Sequence, residues 1–349
     1  MKYNPALDGI RAMAVVMVMG FHGFVPGASG GYLGVDVFFV LSGFLITSLL
    51  LEEIRTTGSI NLRGFYWRRL LRLTPALVLM LLVYLLLAPF LWPKVSFWID
   101  LRDVLISVFY LADYASAFWS VPVKLRHAWS LSVEEHFYLV WPLLLLFLTR
   151  LSSRRRMALA LGALYLLFSG WRIYCSLHGA SGYADSYYRF DTRLSGLTVG
   201  ALLAVVLTHN HALRAKHADF LAFGALSLIA LCSWHFKVES TTALVYGMTA
   251  VEVATLALIY IAINSPGSRL YAVLSHRAVS YVGRMSYSIY LWHYPIFVYL
   301  WGNWPWYLII TIGGLASFGL AVISYYSVER AARAYWKRSR SATAEPSPA

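Results

Sequence analysis

Charge is scarce in this sequence. Of its 349 residues only 13% are Asp, Glu, Lys or Arg, while 59% are hydrophobic, and the mean hydropathy is +0.62. A soluble domain carries about a quarter charged residues, so the deficit excludes an ordinary water-facing globular protein. Cysteine is nearly absent: Cys175 and Cys232 stand far apart in apolar surroundings. They make neither a disulfide framework nor a metal site and read as packed, inert thiols. Also missing are a nucleophile elbow, a Walker loop, zinc-ligand spacing, an internal repeat and any nucleic-acid-binding motif. A net charge of +13 in a soluble chain would suggest nucleic acid as a partner. In a lipid-embedded chain it reads as arginines in cytoplasmic loops, so neither nucleic acid nor metal is expected.

What the sequence does have is long apolar runs. They fall near 8–25, 33–51, 73–92, 133–149, 157–175, 192–208, 218–236, 242–263, 285–302 and 305–328. A bilayer core takes about 20 apolar residues per helix, so the expected fold is all-α, a polytopic bundle of about ten transmembrane helices. Lys2 and the first apolar run resemble a signal peptide, but Asp8 and Arg11 interrupt the run and no clear A-x-A site follows. A retained first helix is expected. Residues 1–330 are expected to form one integral-membrane domain and 331–349 a basic, disordered cytoplasmic tail.

The stretch 97–118 is apolar but broken by Asp100, Arg102, Asp103 and Asp113, and loop charge decides its place. If the N-terminus is cytoplasmic and 97–118 does not cross, the Arg55–Arg72 group, Arg150, Arg154–Arg156, Arg214, Arg269, Arg277, Arg284 and the tail all lie inside. Only scattered cations, among them Lys124, Arg126, Arg172, Arg189 and Arg193, remain outside. If it crosses, the Arg154–Arg156 cluster moves outside. The positive-inside rule favours the first arrangement, with both termini cytoplasmic and an interfacial helix within 93–132.

Four stretches carry chemistry. In the first helix Arg11 and His22 are 11 residues apart; at about 100° per residue they share a face, and the rise separates them by roughly 16 Å. Each alone reads as a helix-end residue, Arg11 snorkelling to headgroups, but the shared face favours a polar channel along the helix. In "FYWRRLLRLTP" Arg68 and Arg72 are one turn apart with Arg69 beside them. They suit either lipid headgroups or bidentate binding of a phosphorylated ligand. In "HAWSLSVEEHFYLVW" Glu134 and Glu135 sit at one end of an apolar helix. Adjacent residues point about 100° apart, so one serves chemistry and the other structure, or both lie in a first turn capped by Ser130 or Ser132. In "GRMSYSIYLWHYPIF" Ser286, Tyr287, Ser288, Tyr290 and His293 read as helix–helix packing in preference to catalysis. Gly196 and Gly200 in "FDTRLSGLTVGALLA", after Asp191 and Arg193 at an outer membrane edge, make a G-x-x-x-G packing face. Basic groups at one side of the bilayer and a histidine in a polar channel fit a transmembrane group transfer. They also fit a proton-coupled transporter or exporter.

These motifs, in the order "LDGIRAMAVVMVMGFH", "GVDVFFVLSGFLI", "FYWRRLLRLTP", "WSLSVEEHFYLVWP", "DTRLSGLTVGALLA" and "SYSIYLWHYP", cover roughly residues 5 to 330. In that order the chain resembles the bacterial acyltransferase-3 family of integral-membrane O-acyltransferases. The resemblance implies ten core helices in the bacterial cytoplasmic (inner) membrane. It implies acyl-CoA, usually acetyl-CoA, as donor and a hydroxyl of an extracytoplasmic carbohydrate or glycoconjugate as acceptor. By this resemblance Arg11 and His22 correspond to the family's arginine–histidine pair, Arg68, Arg69 and Arg72 to its arginine motif, and Ser130–Tyr138 to its "SLSVEEQFY" segment. His22 is then the catalytic base or acyl carrier, Glu134 or Glu135 orients it or the acceptor, Arg68, Arg69 and Arg72 hold the nucleotide phosphates, and Arg11 lines the thioester path. The chain departs from the pattern at His136, where glutamine is usual, and at Ala331, where the ending "Glu329-Arg330" lacks its proline. The sequence as read contains no soluble hydrolase-like domain of the kind some members carry, and the resemblance implies no separate partner for it. Acceptor identity, the choice between direct transfer and an acyl-enzyme, and oligomeric state stay open.

Overall fold

The computed structural model describes residues 3–151, 153–179, 182–207, 214–332 and 334; nearly all of the expected tail, 331–349, lies outside them. The regular elements among the described residues are helices. In chain order they are α1 (Pro5–His22), α2 (Gly34–Thr57), α3 (Leu62–Leu91), α4 (Phe97–Val108), α5 (Ala112–Trp119), α6 (Ala128–Leu148), α7 (Arg154–His178), α8 (Gly182–Tyr188), α9 (Phe190–Val206), α10 (Ala215–His235), α11 (Ala243–Asn264), α12 (Arg269–Leu274), α13 (Arg277–Arg284), α14 (Ser286–Leu300) and α15 (Trp306–Ala332). Helix α11 opens on a π-helical turn, and α15 contains two, at Ile309–Gly313 and Tyr325–Glu329.

Seven of these, α2, α3, α6, α7, α10, α11 and α15, are long and apolar enough to cross a membrane. The chain is therefore a multi-pass, all-helical membrane protein. Three more of the expected runs form α1, α9 and α14, of 18, 17 and 15 residues. They are shorter, and most of α9 and α14 is buried in protein. The arginine motif belongs to the first turns of α3, which begins eleven residues before the apolar run it carries.

Residues 97–118 do not form one long helix. Helices α4 and α5 have 12 and 8 residues, about 18 and 12 Å at 1.5 Å per residue, short of a 30 Å hydrocarbon core. Their acidic groups point inward: Lys124 Nζ donates to Asp100 at 2.8 Å, the Tyr84 hydroxyl donates to the same carboxylate, and His136 Nδ1 meets buried Asp113 at 3.1 Å. Phe97, Trp98, Phe109, Phe118 and Trp119 are left on the outside, as suits a segment lying along an apolar boundary.

The centre of the bundle is α9 between α2 and α7. The glycine face of α9 lets the backbones touch: a Cβ on Gly200 would stand 2.0 Å from the Val40 carbonyl oxygen, and one on Gly43 of α2 would stand 1.9 Å from that of Leu197. Two ion pairs lock these helices. Arg193 of α9 donates to Asp36 of α2 at 3.0 Å, its guanidinium flanked by the rings of Phe39, Trp129 and Tyr187 at 5.0–5.4 Å. Arg172 of α7 donates to Glu252 of α11 at 3.0 Å and to Ser195 of α9 at 2.7 Å. Arg172 and Arg193 were expected among the outer loop and edge charges. They are instead buried, because each finds a carboxylate on a neighbouring helix.

Gly43→Ala is expected to force α2 and α9 apart at a cost of about 1–3 kcal/mol, read as a lower thermal-unfolding midpoint in detergent. Gly162→Ala on α7 adds a methyl with nothing within 4 Å and is expected not to lower it.

Candidate active site

Helix α1 is the rail on which the site is built. Asn4 starts it by accepting from the Ala6 N–H, and Pro5 occupies its first turn, where a missing N–H is harmless. Close contact fixes its N-terminal half: Cβ atoms on Gly9 and on Gly283 of α13 would stand 2.3 and 1.7 Å from the carbonyl oxygens of Leu274 and Asp8. Its C-terminal end is tied by Trp301, whose indole N–H donates to the His22 carbonyl at 2.8 Å. Arg11 and His22 are thereby held at fixed depths.

Two cavities lie along α1, named inner and outer for their places toward its N- and C-terminal ends. Arg11 lines the inner cavity, of about 240 Å³, with Ser42, Arg69, Arg72, Glu134, Tyr138 and Tyr287 among its walls. Arg11 donates to Asp8 one turn earlier at 2.8 Å. The Arg69 guanidinium lies over the rings of Tyr138 at 5.0 Å and Phe65 at 5.8 Å. It forms no ion pair within 4.0 Å among the described residues, so its fork of donors remains available to a ligand. Glu134 accepts from the Ser42 hydroxyl, and the Tyr138 hydroxyl lies 3.2 Å from the same Ser42 oxygen. With Ser42 donating to the carboxylate, Tyr138 is the donor to Ser42. This cavity joins several cations, one carboxylate and an apolar wall from α2.

His22 lines an outer cavity of about 220 Å³ with Phe24, Arg126, His127, Tyr187, Tyr188, Tyr294 and Trp301. The two cavities adjoin, since Val35 and Tyr290 line both. Tyr290 is pinned there: its hydroxyl donates to the His127 carbonyl at 2.9 Å and meets Ser130 Oγ at 2.7 Å. His22 Nδ1 lies 3.0 Å from His293 Nε2, and His293 Nδ1 lies 2.7 Å from the Tyr290 carbonyl. A carbonyl only accepts, so His293 Nδ1 carries the proton. With both rings neutral, His293 Nε2 accepts and His22 Nδ1 donates. The hydrogen-bond chain thus leaves the lone pair of His22 on Nε2.

The structure separates the residues singled out in the sequence. Arg11, Arg69, Arg72 and Glu134 share the inner cavity. Arg68 is turned aside onto Glu53 at 3.2 Å, and Glu135 lines neither cavity, as the angle between neighbours on a helix requires. The group hydrogen-bonded to His22 is His293, while Glu134, expected with Glu135 to orient His22 or the acceptor, sits with the arginines. Ser130 and Ser132 do not cap α6, because the helix starts at Ala128, Ser132 bonds back to the Ala128 carbonyl and Ser130 Oγ meets the Tyr290 hydroxyl. Glu134 and Glu135 therefore lie beyond the first turn. The hydroxyls of "SYSIY" do pack helices together: Tyr287 donates to the Leu73 carbonyl at 2.8 Å and Ser288 to Glu329. His293 and His127 are the site groups that this packing interpretation passed over. An ionisable ring in an apolar run, the signal used for His22, was present for His293 as well. Among the described residues no group of three or more His, Cys, Asp or Glu side chains is arranged to hold a metal.

Comparison with known proteins adds a family. The profile of the acyltransferase domain matches residues 4–326. The chain is 35% identical over 310 residues to the peptidoglycan O-acetyltransferase OatA of Listeria monocytogenes, covering 84% of this chain and 49% of that protein. It is 35% identical over 350 residues to the O-acetyltransferase OatA of Staphylococcus aureus, covering 94% of this chain and 57% of that one. The chain thus spans about half the length of the curated relatives it matches. No solved structure matches it.

The histidine chain has a spectroscopic signature. In protein with ¹⁵N-labelled histidine, His22 is expected to show a protonated Nδ1 and an unprotonated Nε2. His293→Phe is expected to remove that bias and populate the other tautomer. An unchanged His22 spectrum in the variant would show that His293 does not set it.

Proposed function

This chain belongs to the acyltransferase domain family, and on that premise we propose that it transfers an acyl group, acetyl in the first instance, from a cytoplasmic acyl-CoA to a hydroxyl of an extracytoplasmic carbohydrate. The named relatives are O-acetyltransferases, one of them of peptidoglycan, and a cell-wall glycan is the acceptor class we assign. The bundle would lie in the bacterial cytoplasmic membrane with both termini inside. The observation that carries the reading is the pair of adjoining cavities along α1, one lined by arginines and the other by His22.

The steps follow from the side chains. Arg69 and Arg72 hold the phosphates of the donor by charge-assisted hydrogen bonds, and Arg11 lines the way for the thioester arm. An extended pantetheine arm spans on the order of 15–20 Å, and the eleven residues from Arg11 to His22 rise roughly 16 Å. An arm anchored at the arginines therefore brings its thioester past Tyr290 to the level of His22. The acceptor enters from the outer cavity. His22 Nε2 takes the proton of its hydroxyl as the oxygen bonds to the thioester carbonyl carbon. The C–S bond then breaks, and the imidazolium returns the proton to the departing thiolate. His293, accepting from His22 Nδ1–H, steadies the ring as its charge develops. Glu134, tied to Ser42 and among the arginines, balances the cations of the donor site.

Two measurements test this. Expressed equally in the native host, wild type is expected to leave cell-wall glycans heavier by one acyl group per modified sugar, and His22→Ala to abolish the increment, since removing a general base loses about 10²–10⁴-fold in rate. Identical glycans in both would refute the transfer and turn attention to an exporter. In reconstituted protein Arg69→Ala is expected to raise the acyl-CoA KM about 10- to 100-fold, the worth of a charged hydrogen bond, while Arg68→Ala, already paired with Glu53, shifts it less than about threefold.

A further inference from the structure

The proposed reaction uses His22 and His293 but leaves a third buried imidazole of the outer cavity without a part. His127 is 2% exposed and lines the same cavity as His22. Both of its ring nitrogens lack a hydrogen-bond partner of good geometry among the described residues, and the Leu291 backbone polarises the ring. An imidazole in either neutral tautomer has one N–H and one lone pair, and burying both unmet is unfavourable unless something enters to meet them. The preceding residue repeats the pattern. Arg126 also lines the cavity, one of its nitrogens bonds the Ser120 carbonyl at 3.1 Å, and its buried Nε has no partner.

The ring is fixed in place by its surroundings. It stacks on Tyr294 at 4.8 Å and 24°, while His22 meets the same Tyr294 ring edge-on at 4.9 Å. Its centroid is 5.9 Å from that of His293, and its own carbonyl is tied to the Tyr290 hydroxyl. His22 and His127 therefore flank one tyrosine, and the polar edges of His127 can be satisfied by whatever occupies the space that His22 faces. A polyhydroxylated occupant with donors and acceptors on neighbouring carbons meets such an edge. Aromatic faces at Trp301, Tyr294 and Phe24 suit the apolar faces of a sugar ring.

We propose that His127 contacts the carbohydrate acceptor directly, hydrogen-bonding its hydroxyl groups through the polar edge of the ring and so aligning the reacting hydroxyl with His22 Nε2. This rests on the acyl-transfer reading above and assigns the acceptor's side of that site. The proton still goes from the acceptor to His22 and on to the thiolate, so His127 undergoes no net change.

Two substitutions separate the polar edge from the stack on Tyr294. His127→Phe keeps an aromatic face and removes both polar atoms; His127→Gln removes the face and restores a donor and an acceptor. Each would be expressed in the native host lacking its own copy, and alkali-labile acetate on cell-wall glycan measured per folded chain, folding being scored by acyl-CoA binding and thermal midpoint. Phenylalanine is expected to lower acetate at least 30-fold with acyl-CoA binding unchanged, and glutamine to retain at least a tenth of the wild-type level. Glutamine no better than phenylalanine, or phenylalanine at the wild-type level, overturns the proposal. Wild type indistinguishable from His22→Ala brings down the acyl-transfer reading, and this inference with it.

Discussion

An ionised side chain inside a bilayer must be paired, enclosed or put in contact with something polar, and the bundle is arranged around that constraint. Its deepest charges are matched helix to helix: Arg193 with Asp36, Arg172 with Glu252. Such pairs gain little net stability over well-packed apolar residues, but losing one partner strands the other charge, typically at about 3–5 kcal/mol. Their effect is to fix which helices meet. Arg172 and Ser195 bring α7, α9 and α11 to one carboxylate, and Arg193 brings α9 to α2 against an aromatic wall. The glycines of α9 and α2 then allow the backbones to close to contact.

Around the inner cavity stand Arg11, bonded to Asp8, together with Arg69, Arg72 and Glu134. Arg69 differs from Arg172 and Arg193 because ring faces and no carboxylate hold it. An arginine kept that way retains its donors for an anion, whereas a second carboxylate at 3 Å would have consumed them. The neighbouring Arg68 supplies the contrast: one position along α3, it reaches Glu53 of α2. The arginine motif thus has members of different use.

How much of this could be read in the sequence follows the same physics. Apolar runs locate the helices because lipid requires long, continuous apolar segments, and the runs that became α1, α9 and α14 were visible although these helices are short. Loop charge led to the expectation that 97–118 does not cross, and the chain there is divided into the short helices α4 and α5. Pairing across helices was not: nothing near Arg172 or Arg193 in the chain announces Glu252, 80 residues on, or Asp36, 157 residues back. The site divides likewise. Arg11 and His22 share one helix, so periodicity alone set their common side. His293 lies 271 residues from His22, and its role arises only when α14 packs on α1. The position of Glu134 depended on where α6 begins, a boundary that two plausible serine caps obscured.

The division of the site into two cavities places an unusual demand on Tyr290. It lines both, its hydroxyl is held by the His127 carbonyl and Ser130 of α6, and its own carbonyl receives the His293 proton that orders the chain to His22. One residue of α14 therefore fixes the wall between the cavities, the backbone beneath His127 and the tautomer of His22 at once. A shift of α14 relative to α6 would move all three together, so the inner and outer halves of the site are mechanically coupled without any hinge. On the proposed reading that coupling is useful. An acyl group crossing from the arginine side meets a base and an acceptor pocket whose alignment is set by the same residue it must pass.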